Sequence, residues 1–300
     1  MEINIFDVEH GACALLTAPS LARMLIDCGH NNNTGWRPSI CLPENDITYL
    51  ELFVVTNYDE DHVSDLVNLR RTVNIKSLLR NKSVSPNDIR KLKSEDGMGA
   101  GIDEFCQMAT TYNQPPDPVN WGGVERKSFH NQYPGDFDDE NNLSLVSFIS
   151  YGGLKIVFPG DLEKAGWDKL LEQEAFRQEL AGVNVFVASH HGRQSGCCEE
   201  VFKYCHPNIV IFSDKSKGFQ TQETVGWYAS RCKGISYRGS TRKVFTTRHD
   251  GNIKLTTNGF GFDIATDKGL ASDPVAEALG AFLTGGVLGM GLAALRMPRL

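Results

Sequence analysis

Thr56-Asn57-Tyr58-Asp59-Glu60-Asp61-His62-Val63-Ser64-Asp65-Leu66 decides the fold, because five side chains able to hold a metal (Asn57, Asp59, Glu60, Asp61, His62) follow directly on the apolar run Leu52-Phe53-Val54-Val55. A short apolar, β-branched run bounded by polar residues reads as a strand buried on both faces. The polar cluster then begins where that strand ends, which is where α/β proteins keep their chemistry. The plainer reading is an acidic surface turn, since Asp and Glu are mostly exposed. The rest of the chain weighs between the two.

Working outward, Ile3-Asn4-Ile5-Phe6-Asp7-Val8 alternates as a half-buried strand, and Gly11 to Leu16 and Arg23 to Gly29 give two more. Asn31 to Pro43 is turn-rich. On the other side of the motif, Val63 to Arg71 has the pattern of a helix whose N-terminus carries Asp61 and His62. Residues 81 to 140 mix polar, Pro-, Gly- and Asp-rich stretches around a helical piece at Ile102 to Ala109, and are expected to form an insertion or lid. Regular structure resumes with Leu143 to Ile149, a Gly152-Gly153 turn and Leu154 to Asp161, a hairpin that delivers Asp161 at its end. An amphipathic helix is expected over Ala165 to Leu180. The strand Val183 to Ala188 then ends in Ser189-His190-His191-Gly192, and Asn208 to Phe212 ends in Ser213-Asp214. Strands around Val244 to Thr247, Ile253 to Thr256 and Phe260 to Ile264 close the domain. These alternating elements place the chain in the α/β class.

Composition sets the outer bounds. With 300 residues, 41% hydrophobic and 22% charged, the chain has the make-up of a globular protein with a sizeable core. It opens on Met1-Glu2-Ile3-Asn4, without the basic and apolar stretches of a secretory signal. The eight cysteines include no CxxC pair, and the vicinal Cys197-Cys198 is poorly suited to an ordinary disulfide, so reduced thiols and a cytoplasmic setting are expected. The net charge of −7 argues against a protein that coats nucleic acid. Within it, Lys203 to Lys254 carries ten Lys or Arg against Asp214, Glu223 and Asp250, a net of +7. Such a run is usually a solvated face, and it is also what a hydrolase of polyanions needs beside a metal.

Three apolar strands thus end in metal-capable residues: Asp59, Asp61 and His62 after the first, Asp161 after the second, His190 and His191 after the third. Each alone has a dull explanation as a cap, a turn residue or a satisfied histidine. Their convergence favours a centre in which a carboxylate bridges two ions and the ions activate water at neutral pH.

Taken in order, Phe6-Asp7-Val8-Glu9-His10-Gly11, Leu25-Ile26-Asp27-Cys28-Gly29, Thr56 to His62, Asn142-Leu143-Ser144-Leu145-Val146, Phe158-Pro159-Gly160-Asp161, Ser189 to Gly192 and Phe245 to Ile253 resemble the metallo-β-lactamase superfamily, and more closely its ComEC-type competence metallo-hydrolase domain. The resemblance covers residues 1–265 and implies an αββα sandwich with a dinuclear site at one edge. It further implies that Asp61, His62 and His190 bind one ion, that Asp161 bridges, and that Asn57 and Asp59 stand where many members keep histidines of the second ion's site. Asn142 occupies the region of the usual third. Oxygen-rich donors favour Mn²⁺ or Mg²⁺ over Zn²⁺ at that second site, so one or two divalent ions are expected. Asp61 and Asp161 are the expected catalytic carboxylates, and His191 a supporting partner or general acid. Asn142, Ser144, Arg193, Ser213, Lys215 and Arg248 are candidates for contacting substrate.

After a polar linker at residues 266–274, the stretch 275–300 includes eighteen uncharged residues from Ala278 to Leu295 and the spacing Gly285-x-x-x-Gly289. This Gly-rich apolar helix is at the lower limit of length for crossing a bilayer, and suits a helix docked on the domain or on a partner protein equally. Three functions follow from the whole: a metal-dependent phosphodiesterase or nuclease on a nucleic acid or nucleotide; a small-molecule hydrolase of cyclic nucleotides or esters; and a degenerate hydrolase serving as a binding or membrane-linked regulatory subunit.

Overall fold

The strand residues alternate between two environments, and this alternation builds the layers. In the computed structural model, which describes residues 1–94, 97–114, 118–215, 223–257 and 259–268, Leu15, Leu25 and Phe53 point one way and Leu16, Met24, Ile26, Leu52 and Val54 the other. Side chains on a strand change face at every residue, so both faces of this sheet are apolar and both must be covered. Leu42, Leu66, Leu69 and Phe105 cover the first face. Across the second lie Ile149, Ile156, Val185, Ile209 and Ile211 of another sheet. The far face of that sheet, with Phe148, Val157, Phe186 and Val210, packs under Trp167, Phe176 and Tyr228. Three apolar interfaces between four layers make an αββα sandwich.

The first sheet has seven strands in the order Asp263–Thr266, Ile253–Thr256, Glu2–Ile5, Ala14–Thr17, Arg23–Ile26, Leu52–Val54, Leu78–Leu79. Its last three strands are parallel. The second sheet has six, in the order Val244–Thr246, Ile209–Phe212, Val185–Val187, Leu154–Phe158, Val146–Tyr151, Glu125–Phe129, of which the first four are parallel. The expected hairpin is present, with Leu154 opposite Tyr151 and Phe158 opposite Ser147. Parallel strands end on the same side, so both sheets deliver their C-terminal ends to one edge of the sandwich.

Two helices differ from expectation. The stretch Ala165 to Leu180 forms two, Lys164–Leu171 and Glu174–Leu180, broken where Gln173 turns extended (φ −83°, ψ 121°). Arg177 stabilises the break by donating to the carbonyls of Leu171 (2.6 Å) and Glu172 (2.9 Å). The motif helix is likewise divided into Glu60–Val63 and Leu66–Thr72. Asp65 occupies the division, its carboxylate accepting from Ser39 N (2.8 Å) and Arg37 Nη1 (3.2 Å).

Residues 81–140 carry the helices Pro86–Leu92 and Ala100–Thr111 and the edge strand Glu125–Phe129. Ile89, Ile102, Phe105 and Met108 from this segment are fully buried in the core beside the first sheet. Ser85 caps the first of these helices, accepting from Asp88 N, with Pro86 at the position where a missing N–H costs nothing. Glu60 caps the second, accepting from Gly101 N (2.9 Å) and Ile102 N (3.0 Å). All eight cysteines are free thiols. Among the described residues no helix is long and apolar enough to cross a membrane; the segment 275–300 lies outside them.

Candidate metal centre

Asp27, at the end of Arg23–Ile26, adopts a left-handed backbone (φ 56°) and is buried. Its carboxylate takes Thr56 N (2.8 Å) and the Thr56 hydroxyl, and lies 2.9 Å from His62 Nδ1. His62 therefore turns Nε2 towards Asp161 Oδ1, 3.0 Å away. Asp161 follows Gly160, whose φ of 60° makes the turn, and its N–H donates to the Ser144 hydroxyl (3.2 Å). Asp61 comes from the four-residue helix that also carries His62. Its backbone carbonyl receives Ala12 N (3.4 Å), and a Cβ at Gly11 or Gly29 would collide with that carbonyl, at 2.6 and 2.4 Å. Small residues on two neighbouring turns thus let the motif sit directly on the first sheet's edge.

His190 and His191 are both left-handed (φ 50° and 54°), so the chain bends sharply and sends the two rings in different directions. His191 points inward. Its Nδ1 donates to the Ser213 carbonyl (3.1 Å), and its Nε2 lies 3.2 Å from Asp61 Oδ2 and 3.4 Å from Asp161 Oδ1, buried and without a well-formed hydrogen bond. His190 turns to Ser195 (3.0 Å) and Glu163 (3.3 Å), its Nε2 meets Arg193 Nη1 at 3.0 Å, and Asp161 is 3.9 Å away. The resemblance implies His190 at the ion; here the bend turns His191, rather than His190, towards both carboxylates.

The donors fall into two groups, His62-Asp161-His191 and His10-Asp61-His191, each with one ligand atom per residue within 4.8 Å of the others. The sequence pattern assigns His10 no role. Its ring lies tilted against that of His191, with centroids 4.2 Å apart, and its Nε2 stands 3.7 Å from Asp61. The signal lies in Glu9-His10-Gly11, where a histidine precedes a glycine in the connection between the first two strands.

Electrostatics match the geometry. Burial alone would raise the carboxyls of Asp61 and Asp161, but contact with His191 and the positive charge of His62 hold both far below the usual range. Burial would lower the histidines, yet the Asp161 charge raises His191 to about 10, and Asp161 with Asp27 raises His62 strongly. Burial, helped by repulsion from His191, lowers His10 to about 3. Two buried carboxylates demand positive charge. Histidine protons supply it, and a divalent cation competes for the same place once they leave, so the donor set fits a metal.

The remaining candidates do other things. Asn57 is buried, with Nδ2 3.1 Å from Asn141 Oδ1 and 3.4 Å from Asp59 Oδ2, and Oδ1 accepting from Tyr58 N (2.5 Å). Asp59 meets Lys93 Nζ at 2.5 Å. Asn142 accepts from Gly166 N (2.7 Å) and donates to Asp139, so its amide supports the adjoining loop; its neighbour Asn141 is the one that reaches Asn57. Ser144 and Ser213 hold backbone, at Asp161 N and the Gly11 carbonyl (2.6 Å). Arg193 lies at the rim, its Nη2 3.2 Å from His10 Nε2. Lys215 follows Asp214 and is half-buried.

Several cations of the basic segment are paired. Arg242 pairs with Asp250 (2.6 Å) in the interior, Arg248 with Asp214 (3.5 Å), Lys203 with Glu200 and Lys254 with Glu2.

No family model matches the chain. A curated relative, ComE operon protein 3 of Bacillus subtilis (strain 168), is 24% identical over 241 residues, 71% of this chain and 28% of that protein. The chain is similar to ComE operon protein 3 in sequence and to metallo-β-lactamase-fold proteins in structure. It spans under a third of that relative's length. Similar solved structures include the metallo-β-lactamase fold protein YhfI of Bacillus subtilis (TM-score 0.45, 11% identity, 84% of this chain and 99% of that one) and a diphosphatase of the PhnP family (TM-score 0.44, 9% identity, 88% and 100%). Zn²⁺-bound PqqB of Methylobacterium extorquens is another, with a TM-score of 0.36 and 15% identity over 62% of this chain and 72% of that one.

Proposed function

We propose that this chain is a metal-dependent hydrolase that cleaves phosphodiester bonds in a nucleic acid or nucleotide. The observation that carries it is the meeting of Asp61, His62, Asp161 and His191, from three strand ends, with the buried Nε2 of His191 facing both carboxylates. These four residues would hold a divalent ion, which would supply Lewis acidity there.

The chain's own residues prepare that place. Asp27 and the Ser213 carbonyl each take the outer nitrogen of a histidine, so His62 and His191 are fixed in the tautomer that turns Nε2 inward. The cavity lined by Ala12, Thr56, Pro159 and by His62, Asp161 and His191 themselves, about 40 Å³, has room for water alone. Substrate therefore enters from the side where Asp61 is 26% exposed. Arg193 borders that side beside His10, and a guanidinium there can hold a phosphate oxygen.

The test uses the full chain with linear and circular DNA, RNA and cyclic nucleotides in Mn²⁺, Mg²⁺ or Zn²⁺, beside Asp61→Ala and Asp161→Ala. Metal-dependent cleavage of a nucleic acid that both substitutions abolish supports the proposal. Turnover of cyclic nucleotides alone moves the substrate to a small molecule. No turnover on any of them, or cleavage that survives Asp161→Ala, refutes it.

A further inference from the structure

The two halves of the centre differ in what they offer a cation. One half presents carboxylate oxygens and imidazole nitrogens turned inward. On the side of Asn57 and Asp59, where the resemblance places a second ion, each potential donor is already engaged by a proton-bearing group. Asn57 directs its amide nitrogen, which has no lone pair for a metal, at Asn141 (3.1 Å) and Asp59 (3.4 Å), while its oxygen accepts from Tyr58 N (2.5 Å). Asp59 Oδ1 lies 2.5 Å from Lys93 Nζ, and the same ammonium meets Glu140 Oε1 at 2.7 Å.

Lys93 is built into this position. It is 6% exposed and follows the last turn of the helix Pro86–Leu92, where Ile89 is anchored in the core and Ser85 caps the start. A buried ammonium is tolerated only with close anionic partners, and here it has two. A divalent ion placed beside Asp59 would face that ammonium across a single carboxylate, and like charges at such a distance repel strongly in a buried setting.

We infer that the Lys93 ammonium takes the place of a second cation, so that the centre holds one metal ion per chain. Lys93 is a positioning residue. It fixes Asp59 and Glu140 and supplies the positive charge that a second ion would otherwise bring. The inference rests on the proposed function only in assuming that Asp61, His62, Asp161 and His191 hold the first ion.

The experiment counts metal on the full chain, loaded with excess Mn²⁺, desalted and measured by elemental mass spectrometry, with titration calorimetry for affinity. Wild type is expected to hold one Mn²⁺. Lys93→Ala frees two carboxylates and is expected to hold two. Asp59→Asn is expected to keep one, with its dissociation constant changed less than about threefold, because Asp59 is bound to Lys93 rather than to the ion. Two ions in wild type, a count of one in folded Lys93→Ala, or loss of the ion in Asp59→Asn each overturns the inference. Should Lys93→Ala not fold, the wild-type count and Asp59→Asn decide between the same outcomes. No ion in wild type overturns the metal reading of the site itself, and the inference with it.

Discussion

Asp27 and His62 are joined by a 2.9 Å contact from Oδ2 to Nδ1 in which neither residue is more than 1% exposed. The carboxylate sits at the end of one strand and the histidine lies eight residues after the end of the next, Leu52–Val54, so a single contact ties the sheet edge to the motif. It also decides which nitrogen of His62 faces Asp161.

Asp27→Asn tests that relationship. Asparagine tolerates the left-handed backbone at this position, so the fold is kept. The amide holds the imidazole less firmly and makes it a poorer donor. Metal affinity is expected to fall about 10- to 100-fold, as it does when a carboxylate behind a metal-bound histidine is removed. Calorimetry with Mn²⁺ on the folded variant measures it, and an unchanged affinity would show that Asp27 only braces Thr56.

The two adjacent histidines give a second prediction. His191 faces both carboxylates, whereas His190 is turned to Ser195, Glu163 and Arg193. His191→Ala is expected to remove metal binding and to lower turnover by about 10³-fold or more, while His190→Ala lowers it by about tenfold or less through Arg193. The reverse order of effects would return the inner position to His190.

That exchange marks how far the sequence could be read. Strands buried on both faces must be continuous apolar runs, so Leu52 to Val55, Leu154 to Phe158, Val183 to Ala188 and Asn208 to Phe212 declared themselves, and the residues at their ends with them. His190 and His191 are chemically identical, and only the backbone bend separates their directions. Lys93 was invisible for another reason. It reaches Asp59 across 34 residues from a segment whose pattern was weak, and a lone lysine there looks like any surface lysine. The break at Gln173 lacked a Gly or Pro to announce it and depends on Arg177 reaching back to two carbonyls.

Gly192 gives a prediction about stability. Its φ is +84°, and a Cβ there would lie 2.2 Å from Phe212 Cε1 and 2.4 Å from Cδ1. Phe212 is fully buried in the second sheet, so its ring has nowhere to go. Gly192→Ala combines the cost of a left-handed backbone with overpacking and is expected to destabilise by about 2–5 kcal/mol. A lower denaturant midpoint with unchanged slope is the signature, and a shift below about 0.5 kcal/mol would mean that the turn relaxes freely.

Asp214 predicts a pH dependence whose sign is set by burial. It is 0% exposed, and Arg248 Nη1 is 3.5 Å away. Burial pushes its carboxyl up to about 6 from an ordinary 3.8; the charges of Arg248 and His191 pull it down only in part, and Asp7 adds to the rise. The folded protein thus holds this proton more tightly than the unfolded chain. Its stabilising contribution is complete below the unfolded value near 4 and is lost as pH rises through about 6. Unfolding free energies of wild type and Asp214→Asn, measured with chelator present, should diverge across that window. Wild type loses up to ~3 kcal/mol relative to the variant between pH 4 and pH 7. A difference that stays constant over this range would mean that Arg248 compensates the carboxylate fully.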